Sequence, residues 1–197
     1  MTCIVGLVYR GVTYIGGDSL GSNGHSKTVR ADKKVFHLKD INNAVIGYTS
    51  SFRMGQLLMY GTGLIDSRDE FQGKLNHEYL VTKFIPNVIK LFEEGGYMKI
   101  ENGKKQGGHF LFGYKDKLYQ IESDYQVGES ILGYDACGSG EEFALGSLHS
   151  TAKIEDPLIR IRMALQAASQ FSVGCAPPYY IINTKNNEIV SYDCQRC

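Results

Sequence analysis

The sequence has no excess of either charge and no long apolar run. Lysine and arginine together number 21, as do aspartate and glutamate, so no net charge attracts the chain to nucleic acid or to a membrane surface. Nowhere do about eighteen apolar residues follow one another, and the N-terminus has no long apolar run behind a basic start. The sequence therefore predicts neither a transmembrane helix nor a signal peptide, and we expect a cytoplasmic protein without nucleic-acid or membrane partners.

Cysteine is scarce, odd in number and irregularly spaced: Cys3, Cys137, Cys175, Cys194 and Cys197. Without a secretory signal, this pattern favours reduced and mostly buried thiols over a disulfide framework. Cys194 and Cys197 form a CxxC pattern, but no second pair accompanies it and no helix follows. We therefore predict neither a metal site nor a redox function for it, and no cofactor. Cys3 lies in an apolar strand, which favours a packed residue over an alternative nucleophile.

The length and composition are typical of one globular domain spanning residues 1–197, with 43% hydrophobic residues and 23 glycines. Period-two patterns predict strands at 2–9, 12–17, 28–38, 44–48, 108–114, 117–123, 130–134, 179–183 and 188–192. Helical spacing of apolar residues predicts helices at 52–60, 76–94, 140–150 and 156–171. Pro86 is expected to kink or split the second helix, and Asp156 with Pro157 to begin the last. The first four strands are expected to form one antiparallel sheet.

The N-terminus carries a candidate nucleophile. Met1 precedes a small threonine, and a methionine aminopeptidase removes an initiator methionine in that context. Thr2 would then carry a hydroxyl and an α-amine on one residue, and an amine with a pKa of about 7.7–8.0 is partly neutral at physiological pH and can act as a base. A cation would keep the amine uncharged and a carboxylate would hold the cation. Asp18, Lys33 and Lys34 are the candidates.

Five short motifs occur in a specific order. They are Thr2 at the start of an apolar strand, Gly-Gly-Asp-Ser at 16–19, Lys-Lys-Val at 33–35, Gly-Tyr-Thr-Ser-Ser at 47–51 and Gly-Ser-Gly at 138–140. In this order the chain resembles the proteasome β-type peptidases, which are N-terminal nucleophile hydrolases, and in particular the small bacterial peptidase that works with an unfolding ATPase and its phage relatives. The resemblance extends from Thr2 to about residue 183, with 61–105 matching only in pattern.

The resemblance implies an α+β fold, a four-layer αββα sandwich of two antiparallel sheets. The order of predicted elements, which alternates groups of strands with pairs of helices, also favours such a sandwich. The resemblance further implies a polypeptide substrate and stacked homo-oligomeric rings. The chain contains no ATPase motif, so any unfolding ATPase would be a separate protein.

The resemblance also implies roles for four residues. Thr2 would attack a peptide carbonyl to form an acyl-enzyme, Asp18 would bind the neighbouring ammonium, Lys34 would be that ammonium, and Ser139 would hydrogen-bond the α-amine. Adjacent strand residues face opposite sides, so only one of Lys33 and Lys34 can enter the site. We predict Lys34, with Lys33 as the alternative. Outside this context, a strand threonine, a turn aspartate and a Gly-Ser-Gly helix cap would be ordinary structural features.

The resemblance also implies that the turn containing Gly47, Thr49 and Ser50 is the oxyanion and substrate-binding element. Backbone N–H groups at a helix start are unpaired, which suits that role. Ser50 occupies the position where the family usually has a glycine. Thr49 and Arg53 are expected to shape the pocket for a substrate side chain.

A second departure from the family concerns Gln170, which stands where many members have an aspartate. Glutamine can orient a neighbour but supplies no charge. Ser169 or Ser172 could substitute for the aspartate in the hydrogen-bond network.

Three functions remain open from the sequence. The first is an N-terminal-threonine peptidase, and the second is a catalytically silent ring-forming relative. Retention of Thr2, Asp18, Lys34 and Ser139 argues against the silent relative, because a purely structural protein has no physical reason to bury a lysine–aspartate pair. The third is a hydrolase of small amides, which would predict a monomer or small oligomer with an open pocket.

Overall fold

The structure is a computed structural model that describes residues 2–193. Met1 and residues 194–197, which include Cys194 and Cys197 of the CxxC pattern, lie outside the described residues. The strands are β1 (Cys3–Tyr9), β2 (Val12–Gly17), β3 (Leu20–Ser22), β4 (Lys27–Val29), β5 (Val35–His37), β6 (Ala44–Tyr48), β7 (Lys99–Glu101), β8 (Lys104–Gln106), β9 (Phe110–Tyr114), β10 (Lys117–Ile121), β11 (Val127–Gly128), β12 (Tyr134–Gly138), β13 (Tyr179–Asn183) and β14 (Val190–Tyr192). The helices are α1 (Phe52–Tyr60), α2 (Ser67–Phe71), α3 (His77–Tyr79), α4 (Ile85–Glu94), α5 (Glu141–Ser150) and α6 (Pro157–Phe171).

The strands form two five-stranded antiparallel sheets. The first has the order β12-β1-β2-β13-β14 and the second the order β11-β10-β9-β6-β5. Two short hairpins, β3-β4 and β7-β8, stand apart from them. No helix within residues 2–193 is long and apolar enough to cross a membrane.

Strand β1 shows how the sheets pack. Its alternate residues Cys3, Val5 and Leu7 belong to one buried cluster with residues of α5 and α6, whereas Ile4 points the other way. Ile4 belongs to the core between the two sheets, whose buried members come from both sheets: Ile4, Ile15, Val35, Val45, Leu111, Leu118, Cys137 and Ile182. Both faces of β1 are therefore buried.

Helices cover the outer face of each sheet. On the second sheet, residues of α1 and α4 such as Met54 and Phe92 pack in one cluster with strand residues such as Phe110 and Phe112. On the first sheet, Leu148 of α5 and Leu165 of α6 fill the corresponding layer. The predicted four-layer αββα sandwich is confirmed.

The long helix predicted at 76–94 is divided. Helices α3 and α4 are joined by a π-helical turn over Leu80–Phe84, and Pro86 is the second residue of α4. Proline lacks the N–H that an α-helical ladder requires, so the predicted interruption is found there. Helix α6 begins as predicted, with the Asp156 side chain accepting the N–H groups of Leu158 and Ile159 at 2.8 and 3.1 Å.

Three strand predictions are wrong. The strand predicted at 28–38 is instead β4 and β5 with a turn between them, and the first four predicted strands do not share a sheet, since β1 and β2 belong to the first and β5 and β6 to the second. The strand predicted at 130–134 lies later, in β12, because residues 130–133 form a turn closed by Gly133 N–H to Ser130 O at 3.2 Å. Gly133 has φ +68°, which glycine adopts readily.

The close approach of the sheets predicts the effect of adding one methyl group at Gly47. A Cβ there would lie 2.5 Å from Ile4 Cγ2 and 2.6 Å from Ile15 Cγ2, so Gly47→Ala should lower the free energy of unfolding by about 1–3 kcal/mol through overpacking. Urea denaturation measures this change in the free energy of unfolding. The matched control is Gly146→Ala in α5, where a Cβ would meet no atom within 4 Å. It should stabilise by about 1 kcal/mol, and an equal loss in both variants would contradict the packing argument.

Candidate active site

Antiparallel pairing brings three of the predicted residues together. Cys3 is paired with Gly138 and Ile4 with Gly17. The residues just beyond these pairs are therefore neighbours at one end of the first sheet: Thr2 ahead of β1, Asp18 after β2 and Ser139 after β12. Lys34 approaches from the second sheet, immediately before β5.

The Lys34 ammonium is the centre of the site. The residue is 2% exposed. Its Nζ donates to Thr2 Oγ1 at 2.9 Å, to Asp18 Oδ1 at 2.9 Å and to the backbone oxygen of Leu20 at 2.7 Å. An ammonium has three N–H groups, and each has an acceptor here.

Asp18 is buried with four donors around its carboxylate. Oδ1 accepts from Lys34 Nζ and from the N–H of Cys3 at 3.0 Å, and Oδ2 accepts from the N–H groups of Leu20 and Ala176 at 3.0 and 3.1 Å. A buried charge is costly unless it is paired and hydrogen-bonded. The three backbone donors and the ammonium meet that requirement, and they fix the carboxylate in position.

Ser139 lies beside the backbone of Thr2. Its Oγ accepts from Thr2 N at 3.1 Å and lies 3.3 Å from Thr2 O, to which it can donate. In the chain that still carries Met1, Thr2 N is a peptide nitrogen, and it stands in for the α-amine that removal of Met1 would create. Ser172 Oγ lies 3.4 Å from Ser139 Oγ and extends the network.

The two neighbouring lysines point to opposite sides. Lys33 Nζ lies 5.2 Å from the centre of the Tyr180 ring, away from Thr2, whereas Lys34 Nζ contacts it. The structure therefore places Lys34, and not the alternative Lys33, beside the candidate nucleophile.

A small cleft of about 70 Å³ opens at Thr2. The residues that line it are Thr2, Ser22, Tyr48, Thr49, Ser50, Ser51 and Phe52. Burial raises the pKa of the Tyr48 hydroxyl well above its usual value, so this wall of the cleft stays uncharged.

Ser50, the residue before the N-cap of α1, has an unusual backbone conformation. Its φ is +67°, a region that costs a non-glycine residue about 1–2 kcal/mol. Its Oγ accepts the N–H of His109 at 3.1 Å, which holds the turn. No acceptor among residues 2–193 receives the Ser50 N–H, so this donor is available to a ligand in the cleft. The helix itself is capped by Ser51, whose side chain accepts the N–H of Arg53.

Two predicted binding residues lie outside the cleft. Gly47 is in the core between the sheets, against Ile4 and Ile15. The Arg53 guanidinium donates to Gly95 O at 2.8 Å, at the end of α4, and lines a separate cavity of about 350 Å³.

The three residues near the position where many family members have an aspartate lie in different environments. Gln170 is exposed. The Ser169 hydroxyl is buried and has no hydrogen-bond partner among the described residues. Ser172, in contrast, reaches Ser139, so of the two serines only Ser172 joins the network around Thr2.

Ser22 and Phe52 are cleft residues that the sequence analysis missed. Phe52 directly follows the 47–51 motif, so its position was a usable signal, whereas nothing local distinguishes Ser22. The Arg30 guanidinium lies 3.9 Å from the centre of the Phe52 ring and donates twice to Asp32, each time at 2.7 Å. The hydrogen bonds from Arg30 hold the pKa of the Asp32 carboxyl below its usual value.

Solved structures with the same fold come from proteasome-like proteins. BPH of Thiobacillus denitrificans in complex with epoxomicin has a TM-score of 0.70 and 17% identity, with 92% of this chain and 97% of that chain covered. A second structure of BPH from the same organism has a TM-score of 0.69 with the same identity and coverage. Eukaryotic HslV from Trypanosoma brucei has a TM-score of 0.67 and 15% identity, with 92% and 98% covered.

These similarities show that the chain has the proteasome-like fold, as predicted. Comparison with protein-family models found no match, and neither did comparison with curated protein sequences. Within residues 2–193, no group of three or more histidine, cysteine, aspartate and glutamate side chains could hold a metal ion.

The buried ion pair predicts a large cost for Asp18→Asn. The change removes the charge opposite Lys34 and turns one acceptor oxygen into a donor that faces N–H groups. The free energy of unfolding, measured by urea denaturation, should fall by about 3–5 kcal/mol. Asp32→Asn is the matched control, since Arg30 and Asp32 are each more than a third exposed, and its cost should stay below about 1 kcal/mol. Similar costs would show that the Lys34–Asp18 pair is no more important than a surface pair.

Proposed function

We propose that the protein is an N-terminal-threonine peptidase that cleaves peptide bonds through an acyl-enzyme on Thr2 after Met1 is removed. One observation carries the proposal. A buried lysine ammonium lies 2.9 Å from both Thr2 Oγ1 and Asp18 Oδ1, while Ser139 Oγ lies 3.1 Å from Thr2 N. Nucleophile, cation, carboxylate and the hydrogen-bond partner of the amine thus meet at one point.

In the first step, the free α-amine of Thr2 takes the proton of Oγ1, directly or through a water molecule, and Oγ1 attacks the carbonyl carbon of the substrate. The Lys34 charge stabilises the oxygen as it loses its proton. The same charge disfavours the ammonium form of the nearby amine, so more of the amine can act as a base.

The tetrahedral intermediate requires a donor for its oxyanion. The unpaired Ser50 N–H at the start of α1 is the proposed donor, because helix N-termini direct N–H groups and positive potential outward. When the C–N bond breaks, the leaving amine takes the proton from the Thr2 ammonium. A water molecule, deprotonated by the same amine, then hydrolyses the ester and restores the Thr2 hydroxyl.

An extended substrate fits the site better than a small amide. The cleft at Thr2 adjoins a groove of about 240 Å³ lined by Gly21, Ser22, Asn23, Ser26, Thr28, Arg30 and Phe52. Ser22 and Phe52 line both. A continuous groove beside the nucleophile accommodates a polypeptide segment in extended form. A folded domain cannot enter so narrow a cleft, so a separate unfolding ATPase is the proposed source of substrate.

Assembly into homo-oligomeric rings is proposed as well. Large apolar side chains remain exposed on the chain, including Phe171 at 69%, Val173 at 93% and Ile131 at 101%. Phe143 of α5 and Phe171 of α6 also lie together, with ring centres 5.6 Å apart. Exposed apolar side chains that lie together, as Phe143 and Phe171 do, are typical of protein–protein contacts.

The test of the nucleophile uses epoxomicin, which BPH binds in one of the similar structures. Epoxomicin is an epoxyketone, and its adduct requires both the hydroxyl and the α-amine of an N-terminal threonine. Intact mass should show a chain that begins at Thr2 and gains one inhibitor. Thr2→Ala should show no gain, whereas Thr2→Ser, which keeps both groups, should react. A chain that keeps Met1 and stays unmodified would rule out the mechanism.

The role of Lys34 is tested by the rate of the same reaction. Lys34→Ala should slow adduct formation by about 100-fold or more, because the charge beside Thr2 Oγ1 is lost. Lys33→Ala should leave the rate unchanged, since that side chain faces Tyr180. Circular dichroism of both variants checks that they are folded, and equal rates in two folded variants would remove Lys34 from the mechanism.

Sedimentation velocity separates the proposed peptidase from the other two functions. A ring should sediment as an assembly whose mass is many times the 21.9 kDa of one chain, and it should react with epoxomicin. A ring that does not react would identify a silent assembly protein. A reactive single chain would favour a hydrolase of small amides.

A further inference from the structure

Cys3 and Cys175 form a thiol pair directly behind the candidate nucleophile. Both are buried and free, at 0% and 5% exposure, and both belong to the cluster between the first sheet and its helices. The two thiols are close enough for each to shift the pKa of the other. A Cβ added to Gly140 would lie 2.8 Å from Cys175 Sγ and 2.9 Å from Cys3 Cβ, so the two cysteines converge on one point.

The backbone beside each cysteine holds Asp18. The Cys3 N–H donates to Oδ1 and the N–H of Ala176, the residue after Cys175, donates to Oδ2. The Ala176 carbonyl in turn accepts the Ser19 N–H at 3.0 Å. The pair therefore connects the two segments that position the carboxylate, although nothing in the proposed peptidase chemistry uses either thiol.

The two thiols are not equivalent. The neighbouring Cys3 thiol lowers the pKa of Cys175 more than burial raises it, and the side chains of Ser172 and Ser139 lower it further. The pKa of Cys3 is raised, first by the neighbouring Cys175 thiol and then by burial. Cys175 is thus the better thiolate and Cys3 the better thiol. Cys175 is also near solvent, because its Sγ lies 4.0 Å from the hydroxyl of Ser139, an exposed residue.

We propose that Cys175 and Cys3 are a peroxide-modifiable pair that closes to a disulfide. In the first step the Cys175 thiolate attacks one oxygen of a hydroperoxide, the O–O bond breaks, and the sulfur is oxidised to a sulfenic acid while the peroxide is reduced to hydroxide. In the second step the Cys3 sulfur attacks the sulfenic sulfur, an S–S bond forms, and the S–O bond breaks. The hydroxide leaves with the Cys3 proton as water.

The experiment treats the full-length protein with hydrogen peroxide and maps its cysteines by digestion without reductant and mass spectrometry. The expected result is a Cys3–Cys175 linked peptide, with the intact chain lighter by two hydrogen atoms per bond and restored by dithiothreitol. Cys137, which is buried in the core between the sheets, should stay unmodified. Cys175→Ser should abolish the link, and Cys3→Ala should leave a sulfenic acid on Cys175 that a dimedone probe captures.

Other results would overturn the proposal. These are a link confined to Cys194 and Cys197, equal oxidation of Cys137, or dimedone capture on Cys3 in place of Cys175. Mapping in the unsubstituted protein decides the question even if a variant does not fold. Because the readout is a linked peptide and not turnover, it is independent of whether Thr2 acts as a nucleophile.

Discussion

The contact between Lys34 and Asp18 is the interaction on which the rest of the site depends. Each residue is almost fully buried, and neither charge would be tolerated there without the other. The carboxylate accepts hydrogen bonds from the N–H groups of Cys3, Leu20 and Ala176. The ammonium donates to oxygens of Thr2, Asp18 and Leu20. The pair therefore determines where the backbone of four chain segments must lie, and the Thr2 hydroxyl takes its position from it.

The pair also spans the two sheets. Asp18 follows β2 of the first sheet, and Lys34 precedes β5 of the second, where its carbonyl accepts the Tyr48 N–H. Packing of the apolar core between the sheets thus brings opposite charges together in a place that water does not reach. At Gly47 the absence of a side chain lets Ile4 and Ile15 approach the backbone of the second sheet. The packing of the two sheets therefore determines the geometry of the site. A change in that packing would displace the site residues.

Motif order was sufficient to predict the four-layer fold. The four residues chosen from it, Thr2, Asp18, Lys34 and Ser139, lie together in the structure, because each stands next to a strand whose neighbours are fixed by pairing. Alternation could not predict sheet membership, since β2 and β5 look alike locally and differ only in distant partners. Ile131 and Leu132 favoured a strand at 130–134, yet they are exposed in a turn. The positions of Arg30, Ser22 and Cys175 depend on contacts between remote segments, which no local pattern records. Gly47 and Arg53 belong to the motif region but face other parts of the molecule.

The residues of the site are far apart in the sequence, and this affects when the site can form during synthesis of the protein. Ser139 is 137 residues from Thr2, and Ala176 is 158 residues from Asp18. Before the ribosome reaches residue 139, Thr2, Asp18 and Lys34 are therefore already part of the nascent chain. Ser139 and Ala176, which contact Thr2 and Asp18, have not yet been made. Non-local contacts of this kind form late, since a long loop must close first. A nascent or truncated chain carries Thr2, Asp18 and Lys34 but not the finished site, so the order of translation itself delays assembly of the site until Ser139 and Ala176 have been made.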